Sequence, residues 1–179
     1  MNRAGAVNRT LVLRNRQWVR RLDLRHLRRL ASALLRDELH REQYDLGFYL
    51  VGESEMTKLN ETFLKHRGCT DVITFDYSDP AQPGALTGEI FICVPEAVVQ
   101  SRRFRTTWQR EVVRYLTHGV LHLSGYDDRP ASARRRMKAM EDRLLRRLAA
   151  RFDLSLPPGG VEAGLAPFSA TPPRPPREK

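Results

Sequence analysis

Two histidines, His118 and His122, stand four residues apart in a segment with the apolar spacing of a helix. Residues at i and i+4 share one helix face, so both imidazoles can reach a single cation. Gly125 follows and lets the chain reverse, which can return the carboxylate of Asp127 or Asp128 to the same face. Three protein ligands and a fourth position for water are the arrangement of a catalytic zinc, which acidifies its water and polarises a phosphoryl oxygen.

The histidine spacing alone is a weak motif, since five histidines placed at random would give such a pair in roughly one chain of nine. Asp128 has a purely structural interpretation too, because a carboxylate near the start of the final helix favours capping or complements the helix dipole. Gly119 costs about 1 kcal/mol relative to alanine in a helix interior, which indicates a close approach to the backbone beside His118. Gly119 also stands where H-E-x-x-H proteases place their general-base glutamate, which argues against peptide hydrolysis.

Length and composition predict one globular domain followed by a tail. The chain has 179 residues, of which 41% are hydrophobic, and no apolar run approaches the roughly 20 residues that cross a bilayer. Without a secretory signal at its start, we expect a cytoplasmic protein with no membrane partner. The net charge of +10 favours a polyanion such as RNA, although arginines on solvated helix faces explain the same excess. The two cysteines, Cys69 and Cys93, follow no metal spacing and are expected to be buried or half-buried thiols with no further role.

The apolar periodicity predicts an alternation of strands and helices. Strands are expected at 9–14, 46–51, 72–77 and 89–94. Helices are expected at 23–39, from a Ser54 cap to a break at Gly68, at 95–103, at 108–123 and from Pro130 onwards. This order indicates an α+β fold, a single domain with a mixed sheet of about four strands, helices packed on it, and the zinc site at the C-terminal end of a long helix.

The end of the chain differs in composition. Seven of the eleven prolines fall between positions 157 and 176, together with several glycines. Such a segment cannot bury enough apolar area to offset its chain entropy. The sequence therefore predicts a domain at 1–155 and a Pro-rich disordered tail at 156–179.

The segment from His118 to Asp127 resembles H-G-x-L-H-L-x-G-Y-D, the signature of the YbeY family of rRNA-maturation endoribonucleases, at every fixed position. Three upstream segments are also similar to that family's L-N, T-D-V-[LI]-[ST]-F and G-[DE]-I motifs: Leu59-Asn60, Thr70 to Phe75, and Gly88 to Ile90. The resemblance implies a metal-dependent endoribonuclease with one Zn²⁺ per chain that cleaves single-stranded RNA in 16S rRNA maturation and ribosome quality control. The implied partners are the 16S rRNA precursor and the small ribosomal subunit.

Two positions depart from the family pattern. Asp128 stands where the family has its third histidine ligand, and its negative charge should make the metal a weaker electrophile. Leu64 replaces an arginine that contacts the RNA backbone, which leaves Lys65 and Arg67 as candidate phosphate contacts or as ordinary solvated charges. These departures keep open an alternative to catalysis, a non-catalytic ribosome-assembly or RNA-binding protein with a structural metal.

Overall fold

Four strands form one mixed sheet in the computed structural model, which describes residues 8–155. They are β1 (Arg9–Asn15), β2 (Tyr44–Val51), β3 (Val72–Asp76) and β4 (Leu86–Cys93). The spatial order is β1-β2-β4-β3, in which β1, β2 and β4 run parallel and β3 pairs antiparallel with β4. The predicted α+β class with a mixed four-stranded sheet is confirmed.

The strand bounds differ from the predicted ones at several ends. β4 begins at Leu86 rather than at residue 89, because Leu86 to Gly88 pair with Tyr44 to Leu46 of β2. β2 accordingly begins at Tyr44 rather than at residue 46. The ladder between strands sets these ends, and composition within a single strand does not reveal it.

Five α-helices connect and cover the strands. They are α1 (Leu24–Ala33), α2 (Glu53–Leu59), α3 (Val94–Phe104), α4 (Trp108–Leu123) and α5 (Ala131–Ala149). The first two continue into π-helical turns, Leu34–Glu38 and Asn60–Leu64. The predicted start of α5 after Pro130 is confirmed. The Ser54 cap was wrong, because Gly52 is the N-cap and its carbonyl accepts the first helical bond, from Met56 N at 3.1 Å.

The sheet carries apolar side chains on both faces. Ile90 and Ile92 of β4 join the larger core with α1, α4 and α5, whereas the alternate residues Phe91 and Cys93 join a smaller core with Met56 of α2. This alternation places α4 directly over β3 and β4. The C-terminal turns of α4 are therefore fixed relative to the sheet.

Gly119 allows α4 to lie close to the sheet. A Cβ atom at this position would lie 2.6 Å from Cγ2 of Ile90 and 3.3 Å from Cγ2 of Thr74, so alanine cannot fit without movement. The predicted close approach beside His118 is thus confirmed, but the approaching atoms belong to the core of the protein. Gly119 sets the height of α4 above β3 and β4.

The two cysteines are distant in sequence but meet in the structure. Cys69 precedes β3, Cys93 ends β4, and their sulfur atoms lie 3.3 Å apart as free thiols. Cys93 is buried and Cys69 is partly buried, as predicted for core thiols. Their contact is a finding that the sequence did not indicate.

The described residues of the predicted domain end close to the core. Leu154 is buried, and the carbonyl oxygen of Asp153 lies 2.5 Å from Nε2 of His26 in α1. The predicted tail at 156–179 lies outside the described residues, as do residues 1–7. Within residues 8–155, no helix has the length and apolar character needed to cross a bilayer.

Candidate metal centre

The last two turns of α4 and the loop that follows bring three ligand-type side chains together. His118, His122 and Asp128 each offer an atom within 4.8 Å of the others. The two histidine Nε2 atoms are 3.0 Å apart, and they lie 3.8 Å and 3.9 Å from Oδ2 of Asp128. The predicted site at the C-terminal end of a long helix is formed by these residues.

Gly125 provides the reversal that returns Asp128 to the histidine face. It has a φ of +89°, a left-handed conformation that glycine adopts without strain. Gly125 N donates to His122 O at 2.9 Å and Tyr126 N donates to Leu121 O at 3.0 Å, which closes the end of α4. The chain direction after the helix is therefore determined by this turn.

Of the two aspartates that the sequence left open, Asp128 joins the cluster. Asp127 instead accepts a hydrogen bond from Arg129 N at 3.0 Å and pairs with the Arg129 side chain at 3.5 Å. The backbone hydrogen bond from Arg129 is the main cause of a lowered pKa for the exposed Asp127 carboxyl. Asp127 thus remains a surface carboxylate.

The backbone fixes the tautomer of His122. Its Nδ1 lies 3.1 Å from the carbonyl oxygen of Tyr126, and since a carbonyl only accepts, Nδ1 carries the proton. Burial lowers the pKa of His122, and the neighbouring His118 lowers it further. A neutral ring protonated at Nδ1 leaves the Nε2 lone pair directed at His118 and Asp128, as a metal ligand requires.

A buried carboxylate holds His118 in the matching orientation. Nδ1 of His118 lies 2.9 Å from Oε2 of Glu141, which is only 6% exposed and belongs to α5. The other oxygen of Glu141 accepts from Arg114 at 2.6 Å. Burial lowers the pKa of His118, but the hydrogen bond and the charge of Glu141 outweigh it, so the pKa is raised overall.

The three ligand atoms fit the dimensions of a tetrahedral cation. Bonds of about 2.0–2.2 Å in tetrahedral directions separate the ligand atoms by about 3.3–3.5 Å. The observed separations of 3.0 Å, 3.8 Å and 3.9 Å bracket that range. Two movements of a few tenths of an ångström would bring all three to bonding distance: the 44% exposed Asp128 side chain would move closer, and the two imidazoles would move apart. The cluster can therefore hold a metal ion.

A cavity of about 620 Å³ opens beside the cluster and is lined by His118 and Asp128. Helices α3, α4 and α5 all contribute to it, and so does Asp71, which precedes β3. One oxygen of Asp71 accepts from Val72 N at 2.9 Å and from the Thr70 hydroxyl at 3.1 Å. The T-D-V segment noted in the sequence thus places a fixed carboxylate at the same cavity as the metal ligands.

The candidate phosphate contacts lie elsewhere. Nζ of Lys65 donates to Thr62 O at 2.8 Å. Leu64, the last residue of the π-helical turn, and Arg67, in the loop that follows it, are both exposed. Within the described residues, none of the three lines the cavity beside His118. A role of Lys65 or Arg67 in phosphate contact stays a prediction.

Glu141 was not identified from the sequence, although its position in α5 was informative. Glu141 interrupts the apolar stripe of that helix, one turn after Met137 and before Leu144 and Leu148. A carboxylate at a buried stripe position needs a hydrogen-bonded or charged partner. That partner, His118, lies 23 residues away and was not identifiable from local spacing.

Comparison with known proteins relates this site to a family. A family model described as "Endoribonuclease YbeY" matches residues 12–149. A protein of that name from Chlorobium luteolum is 35% identical over 129 residues, which cover 72% of this chain and 91% of the relative. Another, from an Anaeromyxobacter species, is 39% identical over 112 residues, which cover 62% of this chain and 58% of the relative.

A solved structure supports the fold independently. The solution structure of TM1509 from Thermotoga maritima matches 88% of this chain and 100% of its own, with a TM-score of 0.53 at 21% identity. The family match extends over more than three quarters of the chain and includes β2 to β4 and the whole of α4. This chain belongs to the YbeY endoribonuclease family.

Proposed function

We propose that this chain is a zinc-dependent endoribonuclease that cleaves single-stranded RNA in 16S rRNA maturation and ribosome quality control. The observation that carries the proposal is the convergence of two Nε2 atoms and the Asp128 carboxylate beside a cavity. The net charge of +10 supports a polyanionic substrate such as the RNA of the small ribosomal subunit. Family membership supports the reaction class.

The residues of the chain have separate tasks in this proposal. His118, His122 and Asp128 would hold the zinc ion, and Glu141 and the Tyr126 carbonyl keep the two imidazoles oriented. Zinc, when bound, supplies a positive charge that acidifies water and stabilises negative charge on a phosphoryl oxygen. The cavity beside Asp128 provides room for the scissile segment of RNA.

The test compares zinc-loaded and metal-free protein on a labelled single-stranded RNA and on the same RNA in a duplex. We expect cleavage of the single strand by the zinc-loaded form alone. Asp128→Ala should lower zinc occupancy and abolish cleavage, whereas the matched Asp127→Ala should preserve both, because Asp127 pairs with Arg129. His122→Ala, purified in parallel, controls for contaminating ribonucleases.

The alternative, a non-catalytic RNA-binding protein with a structural metal, is favoured by one observation. Asp128 occupies the third ligand position, and its charge weakens the electrophile. The same experiment separates the two functions. Protein with one zinc per chain that leaves single-stranded RNA intact, while a three-histidine family member cleaves it, would overturn catalysis. In that case His118→Ala should lower the melting temperature without reducing RNA binding.

A further inference from the structure

A phenylalanine and three arginines form an exposed cluster at the C-terminal end of α3. The sequence Arg102-Arg103-Phe104-Arg105 is exposed throughout, and Phe104 itself is 61% exposed. The helix ends because Arg105 adopts a left-handed conformation with φ +55°, after which Thr106 N donates to Ser101 O at 2.9 Å. A ligand that covered this ring would remove apolar surface from water, which is favourable by about 25 cal/mol per Å².

Phe104 lines the same cavity as the metal ligands His118 and Asp128. Arg134 and Lys138 of α5 also line this cavity. Nε of Arg134 donates to the carbonyl oxygen of Asp128 at 2.7 Å, which holds that guanidinium beside the metal centre. An aromatic surface and two cationic side chains are thus presented to whatever enters the cavity.

One arginine partly offsets the charge of the acidic residues of the cavity wall, which are Asp71, Glu111, Asp128, Glu141 and Asp142. Arg114 contacts Glu141 at 2.6 Å and contacts Glu111 and Asp142 at 3.3 Å each. By contrast, within residues 8–155 no ion pair engages Arg102, Arg103, Arg105 or Lys138. These cations are available for phosphate groups.

The combination of groups identifies one class of ligand. Single-stranded nucleic acid binds where bases stack on aromatic side chains and cations follow the backbone. The Arg103 guanidinium lies 5.5 Å from the Phe104 ring centroid, a geometry that adds cation–π attraction to such a stack. A protein partner would instead require an extended apolar surface, and arginines flank Phe104 on both sides.

We propose that Phe104 is the stacking platform for one unpaired base of the RNA substrate, and that Arg102, Arg103 and Arg105 bind the flanking phosphates. The inference rests on the proposed function for the identity of the substrate. It assigns the preference for single strands to this ring, because a base paired within a duplex cannot present its face to Phe104.

The test measures RNA affinity by fluorescence anisotropy with the full, zinc-loaded chain, on ice and with the integrity of the RNA checked afterwards. The probes are a labelled single-stranded 12-mer (about one site size), the same strand with abasic sites, and its duplex. Phe104→Ala should weaken binding of the intact single strand by about 5- to 150-fold, the range that loss of one stacked base gives. Phe104→Trp should bind within about twofold of wild type, since it retains the stacking surface.

Comparison with the abasic strand separates the contribution of the bases to affinity from that of the phosphates. Wild type should bind it more weakly than the intact strand, and Phe104→Ala should bind the two equally. Arg103→Ala should weaken the binding of all three probes and reduce the salt dependence of that binding. Val99→Ala, which removes another exposed apolar side chain of α3 (56% exposed) outside the cavity, is the matched control and should change no affinity.

Two results would overturn the proposal. One is that Phe104→Ala binds the intact single strand as tightly as wild type does, which would assign the ring to a protein contact. The other is that Phe104→Ala loses the same amount of affinity for the single strand and for the duplex. RNA cleavage is a separate readout. If the wild-type chain fails to cut RNA but Phe104→Ala still lowers its affinity for the single strand, the stacking platform stands and only the proposed catalysis is refuted.

Discussion

Nδ1 of His118 lies 2.9 Å from Oε2 of Glu141, so that a histidine at the end of α4 is held by a carboxylate buried in α5. Hydrogen bonds of this kind fix the tautomer of a metal-binding imidazole and raise its basicity. The other oxygen of the same glutamate accepts a charge-assisted hydrogen bond from Arg114 of α4 at 2.6 Å. The orientation of the His118 imidazole therefore depends on the packing of α4 against α5.

Glu141→Gln should reduce zinc affinity by about 10- to 100-fold, the usual effect of losing such a partner of a ligand. The amide preserves size but removes the charge that orients His118 and pairs with Arg114. Affinity is measured by competition with a chromophoric chelator, and unfolding is followed separately. Asp142→Asn is the matched control, because Asp142 contacts Arg114 but does not contact His118. Equal zinc affinity in both variants would refute this role of Glu141.

Asp128→His should raise the rate of RNA cleavage per bound zinc ion by about tenfold, equivalent to ~1.4 kcal/mol of barrier. A neutral ligand at position 128 would leave more positive charge on a bound zinc ion, and that charge would stabilise the negatively charged transition state better. The side chain is 44% exposed, so the larger ring can be accommodated. Initial rates are normalised to measured zinc content, with Asp127→His as the control expected to match wild type. A lower rate per zinc would contradict the electrostatic argument.

Gly119→Ala should lower the free energy of unfolding by about 1–3 kcal/mol, the usual cost of overpacking. Alanine is the better helix former by about 1 kcal/mol, but its Cβ would meet Ile90 at 2.6 Å. Urea unfolding of Gly119→Ala, Ile90→Ala and the double variant provides the measurement. The double variant should be less destabilised than the sum of the single ones, since Ile90→Ala removes the clashing methyl group. Strict additivity would rule out this contact as the cause.

Local periodicity predicted most of the elements because each helix and strand buries a regular set of side chains. The bounds of α4 and the start of α5 agree with the prediction. The strands β1, β2 and β4 extend beyond their predicted bounds where they pair with a neighbour, whereas β3 and β4 each end one residue earlier than predicted. His118, His122 and Asp128 were identifiable since their spacing and the glycine turn lie within eleven consecutive residues. Glu141, Asp71 and the Cys69–Cys93 contact were not, because the fold brings them to their partners from distant positions.

The thiols of Cys69 and Cys93 should react slowly with iodoacetamide at pH 7. Burial raises the pKa of both, so the reactive thiolate is scarce at neutral pH and increases as the pH rises. Cys69 should react first because it is partly exposed, whereas Cys93 is buried. Mass spectrometry of time points at pH 7 and pH 9 follows each site, with Cys69→Ser and Cys93→Ser as controls. Rapid labelling of Cys93 at pH 7 in folded protein would contradict the packing of this pair.

Removal of residues 156–179 should leave the melting temperature unchanged, whereas removal of residues 150–179 should lower it. The shorter deletion takes away only the Pro-rich segment, which its composition predicts to lie outside the folded domain. The longer deletion also removes Leu154, which is buried in the core, and the Asp153 carbonyl that contacts His26. Loss of a buried leucine side chain alone costs about 2–5 kcal/mol, which lowers the melting temperature of a domain of this size by roughly 5–20 °C.

Thermal unfolding of the two truncated chains beside the full chain provides the measurement. A marked drop in melting temperature for the 156–179 deletion would place part of that segment within the folded domain.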